Sequence, residues 1–313
     1  MVAPEPTSPT TPLFSVIIGV YNDWVLLNLC LRSLAEQTNA PTFEVVVVDD
    51  GSVEPPPESI GQWRRHFPLT ILSQSHAGIP SARNRGIQNS SGSLLLFIDA
   101  DSRTQEDCLA ALGAAIANAP RHNCFQLRLV GDGSTLVGRA EDLRLRTFQN
   151  HMLQSDGRIR YLNTAGFAIR RNRVNIDAGL FDPLALRAED TLLLASLIQS
   201  DELPLFVPSA TVQHLIPMSL LGCFLKDIRS AYLEGRTYDV IRSMGVRVRV
   251  THRERLTVLR SMWKTAGESS VGRAAWFVLV ARQALQRIVS FACRWLRIRP
   301  KPQTPDSKCD RPA

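Results

Sequence analysis

The chain has 313 residues, 44% of them apolar and 21% charged, the proportions of an ordinary folded protein rather than a disordered or membrane-spanning one. No stretch reaches the roughly 20 apolar residues of a spanning helix, and no charged-then-apolar opening marks a signal peptide. The net charge of +7 is uneven: residues 1–240 carry 20 basic and 25 acidic side chains, residues 241–313 carry 16 and 4.

A mildly acidic body thus precedes a strongly basic end, the pattern of a chain that meets an anionic surface, either membrane or nucleic acid. Six cysteines lie scattered without CxxC pairing. That usage argues against zinc and against a disulfide framework, and it predicts reduced, buried thiols in a cytoplasmic setting.

Residues 1–12, rich in Pro and Thr, read as a disordered leader. Phe14–Val20 is an apolar run that predicts a buried strand ending at Tyr21, and residues 24–37 place Leu27, Leu31, Leu34 and Ala35 at helical spacing. Residues 43–48 contain four consecutive valines, typical of a strand covered on both faces, and stop at Asp49-Asp50. A proline-rich loop, a short helix at 60–66 and a strand at Leu69–Ser73 follow. Residues 81–89 predict a helix behind Gly78, residues 94–98 an apolar strand ending at Asp99-Ala100-Asp101, and residues 106–118 an alanine-rich helix.

Strands alternating with helices in this way predict a mostly parallel, Rossmann-related sheet with helices on both faces. Ligands of such sheets bind at the carboxyl ends of the strands, where Asp49, Asp50, Asp99 and Asp101 all fall. Farther on, residues 124–130 and 134–138 read as a hairpin around a Gly-Asp-Gly turn. Phe167–Arg170 reads as a short strand and Glu189–Gln199 as an apolar helix opened by two acids. Residues 205–207 and 211–212 read as strand pieces leading to His214, and residues 221–235 as a helix closed by Gly235.

Two carboxylates in an Asp-X-Asp are comfortable only where a cation neutralises them. Their hard oxygens suit Mg2+ or Mn2+, with substrate phosphates completing the shell. Taken alone the motif would equally be a solvated strand end. It would also serve a phosphatase, although such enzymes carry it on the first strand and here it follows the fourth. A dinucleotide dehydrogenase is disfavoured, because no Gly-X-Gly-X-X-Gly follows a strand.

SVIIGVYN at 15–22, VVVVDDGS at 45–52, GIPSARNRG at 78–86 and FIDAD at 97–101 occur in that order. Together they resemble the signature of the family 2 glycosyltransferases, over about residues 13–220. One departure is Gly19, where that family often has proline.

The resemblance implies the GT-A fold and a nucleotide-diphosphate sugar donor. It places Asp49 and Asp50 near the base, Tyr21 against base and ribose, and Arg83 on the diphosphate or base. Gly78 would allow close backbone approach, and Asp99 and Asp101, with His214 as third contact, would hold Mn2+ or Mg2+. GLFDP at 179–183 followed by Glu189-Asp190 resembles the acceptor side, with Asp190 the general base and inversion the outcome. By charge alone, both acids would equally complement a helix dipole. Residues 163–166 would flank sugar or acceptor. No Gln-X-X-Arg-Trp, the polymer-holding motif of processive members, occurs between His214 and residue 265, so a single sugar is expected per acceptor. A non-catalytic, membrane-associated nucleotide-sugar-binding protein is the alternative.

Residues 274–298 interleave Trp276, Phe277, Ile288, Phe291 and Trp295 with Arg282, Arg287 and Arg294. This pattern suits a helix lying in an anionic membrane interface, or equally one packed on the enzyme. The expected partition is therefore a leader at 1–12 and a GT-A domain at 13–222, split into a nucleotide half at 13–101 and an acceptor half at 102–222. A helical extension follows at 223–265, an amphipathic basic segment at 266–298 and a disordered tail at 299–313. The expected acceptor is a glycan or lipid-linked molecule on the inner face of the cytoplasmic membrane, and no nucleic acid is expected.

Overall fold

The computed structural model describes residues 11–185, 187–215, 219–248, 250–267 and 270–296. The expected tail lies outside these residues, as does the expected leader except for its last two positions. Among the described residues eight strands form one sheet. In chain order they are β1 (Phe14–Val20), β2 (Phe43–Asp49), β3 (Leu69–Ser73), β4 (Leu94–Phe97), β5 (Ser102–Thr104), β6 (Cys124–Gly131), β7 (Phe167–Arg170) and β8 (Leu205–His214). The spatial order is β3-β2-β1-β4-β7-β6-β8-β5.

The first four strands are parallel, as their alternation with α1 (Trp24–Ala35), the single-turn α2 (Glu58–Gly61) and α3 (Ile79–Gln88) requires. β7 runs antiparallel between β4 and β6, and β8 pairs parallel with β6 across a register shift at Leu127/Arg128. The two strand pieces expected before His214 are thus one bulged strand. Successive residues of β1 feed opposite faces. Val16 and Ile18 join a core with Leu27, Leu31 and Leu112, the last from α4 (Cys108–Asn118). Ile17 joins the other core with Ile87, Phe97 and Phe167, so the sheet is covered on both sides. The four valines of β2 are fully buried.

The expected hairpin after β6 is absent. The Gly-Asp-Gly segment turns instead into α5 (Leu136–Met152). Thr135 caps that helix by accepting from the Gly138 N–H, and Asp142 reaches back to accept from the Gly131 N–H. Ser134-Thr135 resembles a strand start in the chain, and in the fold it caps a helix. The helix expected to end at Gly235 continues: α7 spans Leu220–Ser243, and an added Cβ at Gly235 would meet nothing. One glycine costs a helix only about 1 kcal/mol, which neighbouring packing outweighs. After α6 (Glu189–Gln199) and α7 come α8 (His252–Ala266) and α9 (Ser270–Trp295).

The inner face of α9 packs on the rest of the chain: Ala275 and Leu279 are buried with Ala140 of α5 and Met262 of α8. Arg282 donates to both oxygens of Asp227 on α7, at 2.7 and 3.0 Å. Its outer face leaves Phe277, Ile288, Phe291 and Trp295 exposed. Among the described residues no helix is long and apolar enough to cross a membrane.

Candidate active site

The carboxyl ends of β1 and β4, the start of α6, the end of β8 and the inner faces of α7 and α9 enclose a cavity of about 800 Å³. Tyr21, Arg83, Asp99, Asp101, Glu189, Asp190 and His214, all singled out from sequence, line it. Asp49, Asp50 and Gly78 are not among its lining residues.

Asp50 is instead the anchor of the loop behind the nucleotide half. Its Oδ1 accepts from Gln74 Nε2 and the Ala77 N–H, and its Oδ2 from the Gly78 N–H, all at 2.7–2.9 Å. Gly78 has φ +91, a conformation side chains disfavour, and this lets the chain enter α3 from that anchor. Asp49 caps the turn after β2 by accepting from the Ser52 N–H at 2.9 Å. Tyr21 stacks on His76, ring centroids 4.3 Å apart, and the pair presents an aromatic face beside this loop. Sequence reasoning missed His76, which lies in the loop between two assigned motifs.

Arg83 is only 3% exposed and bridges two halves of the site. One terminal nitrogen donates to Asp99 Oδ1 at 2.7 Å, the other to Glu189 Oε1 at 2.8 Å. Burial works against its charge, but the two carboxylates outweigh this and raise its pKa. Its guanidinium also lies 5.4 Å from the Phe181 ring centroid. The neighbouring Asn84 accepts from the Leu180 and Phe181 N–H groups and donates to the Phe181 carbonyl. The GIPSARNRG helix therefore ties the GLFDP segment, and the acids behind it, to the Asp-X-Asp.

Ala188 enters α6 with φ +62, a left-handed conformation that costs a non-glycine residue on the order of 1 kcal/mol. This backbone kink aims the first turn of α6 at the cavity. Asp190 Oδ1 accepts from the Thr191 N–H and hydroxyl, yet burial, with the Glu189 charge beside it, pushes its carboxyl up to about 6. A carboxyl at that value is mostly ionised at pH 7 and still basic enough to take a proton.

His214 faces Ser102 across the β5–β8 pair, which brings its Nε2 to 3.2 Å from Asp101 Oδ2. Burial disfavours the charge on both groups. Their hydrogen bond and mutual attraction prevail, lowering the Asp101 pKa and raising that of His214. An oxygen and an imidazole nitrogen converging on a cavity fit a hard divalent ion whose remaining positions are filled by phosphate oxygens. Among the described residues no group of three or more His, Cys, Asp and Glu is placed to hold an ion alone, and Asp99 is engaged by Arg83.

Of the other lining groups, Asn163 belongs to the segment expected to flank sugar or acceptor, and Glu141, Arg144, Tyr161, Lys226 and Asp227 carried no sequence signal. Arg144 holds Glu141 as its carboxylate, down to about 2 against the effect of burial. Tyr161 and Asn163 come from the loop before β7, and Lys226 and Asp227 from α7. Glu141 and Arg144 pair within one helical turn, while Asp227 meets Arg282, 55 positions away.

The family model for glycosyl transferase family 2 matches residues 15–178. The validoxylamine A glucosyltransferase of Streptomyces hygroscopicus subsp. limoneus is 40% identical over 102 residues, 31% of this chain and 22% of that protein. Glycosyltransferase AglE of Haloferax volcanii is 38% identical over 103 residues, 32% of this chain and 34% of that one. The chain thus spans about a third or less of the length of these curated relatives. Among solved structures, S. aureus TarS 1–349 in complex with UDP superposes with a TM-score of 0.54 at 18% identity, covering 90% of this chain and 91% of that one. The mannosyltransferase PcManGT from Pyrobaculum calidifontis, in complex with GDP-Man and Mn2+, gives 0.56 at 18% identity, covering 95% and 83%. At that identity the likeness establishes the fold, a GT-A-like α/β architecture.

Proposed function

The chain belongs to glycosyl transferase family 2, and from that premise we propose that it moves a single sugar, with inversion, from a nucleotide-diphosphate donor to an acceptor hydroxyl. The observation that carries the proposal is Asp190, a part-buried carboxyl pushed up to about 6 that lines the same cavity as Asp99, Asp101 and His214.

In this reading the nucleotide lies over Tyr21, and the loop anchored by Asp50 shapes that end of the pocket. Asp101 and His214 would hold Mn2+ or Mg2+, which when bound supplies positive charge to the departing diphosphate. Arg83 keeps Asp99 and Glu189 in fixed relation. The acceptor oxygen attacks the anomeric carbon while Asp190 takes its proton. The bond from that carbon to the diphosphate oxygen breaks, and its electron pair leaves with the nucleotide. A base on the side opposite the leaving group gives inversion.

A UDP complex of TarS and a GDP-Man–Mn2+ complex of the Pyrobaculum enzyme support a donor of this class. The outer face of α9, apolar and flanked by arginines, supports placement on the inner face of the cytoplasmic membrane, with a membrane-associated glycan or glycolipid as acceptor. Calorimetric titration of the full chain with UDP, GDP and dTDP, with Mn2+ and with EDTA, tests the reading. Binding of at least one nucleotide that weakens about tenfold or more in EDTA is expected. No binding by any of the three would refute it.

A further inference from the structure

Tyr21 stands just past the end of β1 and is 39% exposed. An exposed ring on a loop samples several rotamers, and a ligand that stacks on it must stop that motion at an entropic cost. Two connections, one from each member of the Asp49-Asp50 pair, converge on this residue. The first holds its backbone. Asp49 Oδ1 accepts from the Ser52 N–H at 2.9 Å, and Ser52 Oγ accepts from the Asn22 N–H at 2.8 Å. Asn22 Oδ1 in turn accepts from the Val53 N–H at 2.8 Å. Asn22 is thereby kept at φ +57, in the left-handed region that asparagine enters more readily than most residues. The turn that carries Tyr21 out of the strand is fixed.

The second connection holds its ring. His76 Nδ1 lies 3.0 Å from the Asp50 carbonyl oxygen and 2.9 Å from Asp50 Oδ2. Both oxygens only accept, so Nδ1 carries a proton and donates to them, which sets the plane of the imidazole. That plane lies on Tyr21, 27° from parallel, with centroids 4.3 Å apart. Gly51 permits the approach of the two loops, since a Cβ there would stand 2.7 Å from the His76 backbone nitrogen. Asp50 itself is turned away from any ligand and is 3% exposed. Gln74 Nε2 and the Ala77 N–H occupy its Oδ1, and the Gly78 N–H and His76 occupy its Oδ2. A carboxylate offers about four acceptor positions, and these four donors take them.

We propose that His76 is a positioning residue for the nucleobase: held by Asp50, it backs Tyr21 and presets the ring on which the base stacks. The acid pair thus acts on the base through Tyr21 and not by accepting from the base edge. Stacking carries no donor–acceptor code, so the contribution of His76 is the same for every base. The proposal rests on the reading of the cavity as a nucleotide-sugar site and adds to it the means by which the aromatic platform is ordered.

The test titrates the full chain with UDP, GDP and dTDP in Mn2+ by calorimetry, comparing the wild type with three variants. An aromatic contact of this kind corresponds to roughly a two- to tenfold effect. His76→Ala should weaken each nucleotide that the wild type binds by about fivefold. His76→Phe, which keeps a ring against Tyr21, should recover most of that loss. His76→Asn, which keeps a donor toward Asp50 and has no ring, should not. A general loosening of the loop would weaken all three variants alike, so recovery by the ring alone separates positioning from a folding defect. Unchanged affinity in His76→Ala would overturn the proposal, and so would a His76→Phe as weak as His76→Ala or recovery by His76→Asn. A loss confined to one base among several that bind would show His76 reading a base edge, and would overturn it too. If the wild type binds none of the three nucleotides, the donor reading fails and the platform with it; wild-type binding that the substitutions leave unchanged removes the role of His76 alone.

Discussion

Replacing Asp190 with asparagine removes one proton acceptor and keeps nearly every atom in place, since the Asn oxygen still accepts from the Thr191 N–H. The carboxyl stands near 6 in the fold and near 3.8 when unfolded. The folded state therefore prefers the protonated form, and ionisation destabilises it. The sign follows directly: below pH 3.8 the acid costs the fold nothing, the cost grows as pH rises, and it is complete above pH 6. At 1.36 kcal/mol per tenfold in proton affinity, that cost is about 1.5 kcal/mol at pH 5 and about 3 kcal/mol at pH 8.

Asp190→Asn should accordingly be more stable than the wild type, by roughly these amounts, while turnover falls by about 10²–10⁴. Urea unfolding at the two pH values gives the first quantity, and nucleotide release from a sugar donor the second. A variant that is less stable at pH 8, or whose gain does not depend on pH, would refute the reasoning that burial perturbs this carboxyl. A variant retaining full turnover would remove it as the base.

Arg83→Met leaves Glu189 and Asp99, whose side chains are 13% and 31% exposed, without their shared cation, and should cost about 1–3 kcal/mol in urea unfolding. A coincident midpoint would show that the bridge does not hold the two halves together. Ile288→Glu with Phe291→Glu changes side chains that are 66% and 67% exposed, so unfolding should shift by no more than about 0.5 kcal/mol. Flotation with vesicles of equal phosphatidylglycerol and phosphatidylcholine should be lost in this variant, and unchanged flotation would refute membrane contact through the outer face of α9.

The elements that sequence patterns reached were those stabilised locally. Four valines in a row and the Leu27, Leu31, Leu34 spacing state their own burial, and β2 and α1 form where those patterns predict. The placement of acids at strand ends was equally legible, because a parallel strand has only one end at which a following loop can meet a ligand. The segment after β6 was misread because glycine and aspartate serve hairpins and helix starts alike; what selects the helix is Thr135 bonding to Gly138 and the apolar face of α5 packing inward. Gly235 misled for the same reason, since its local cost is small beside the packing of α7.

What only tertiary structure decided is how charge is shared. Asp49-Asp50 and Asp99-Ala100-Asp101 look alike in the chain, yet one pair anchors loops and the other faces the cavity. Arg83 reads in the chain as a contact for diphosphate or base, and only the fold shows its two nitrogens on Asp99 and Glu189, 16 and 106 positions away. The arginines of α9 read alike, yet Arg282 pairs with Asp227 of α7, 55 positions away. Composition and spacing determine which side chains are available and which faces turn inward. Electrostatic partnership falls off over a few ångströms of space, a distance the chain order does not encode, so pairing had to wait for the fold.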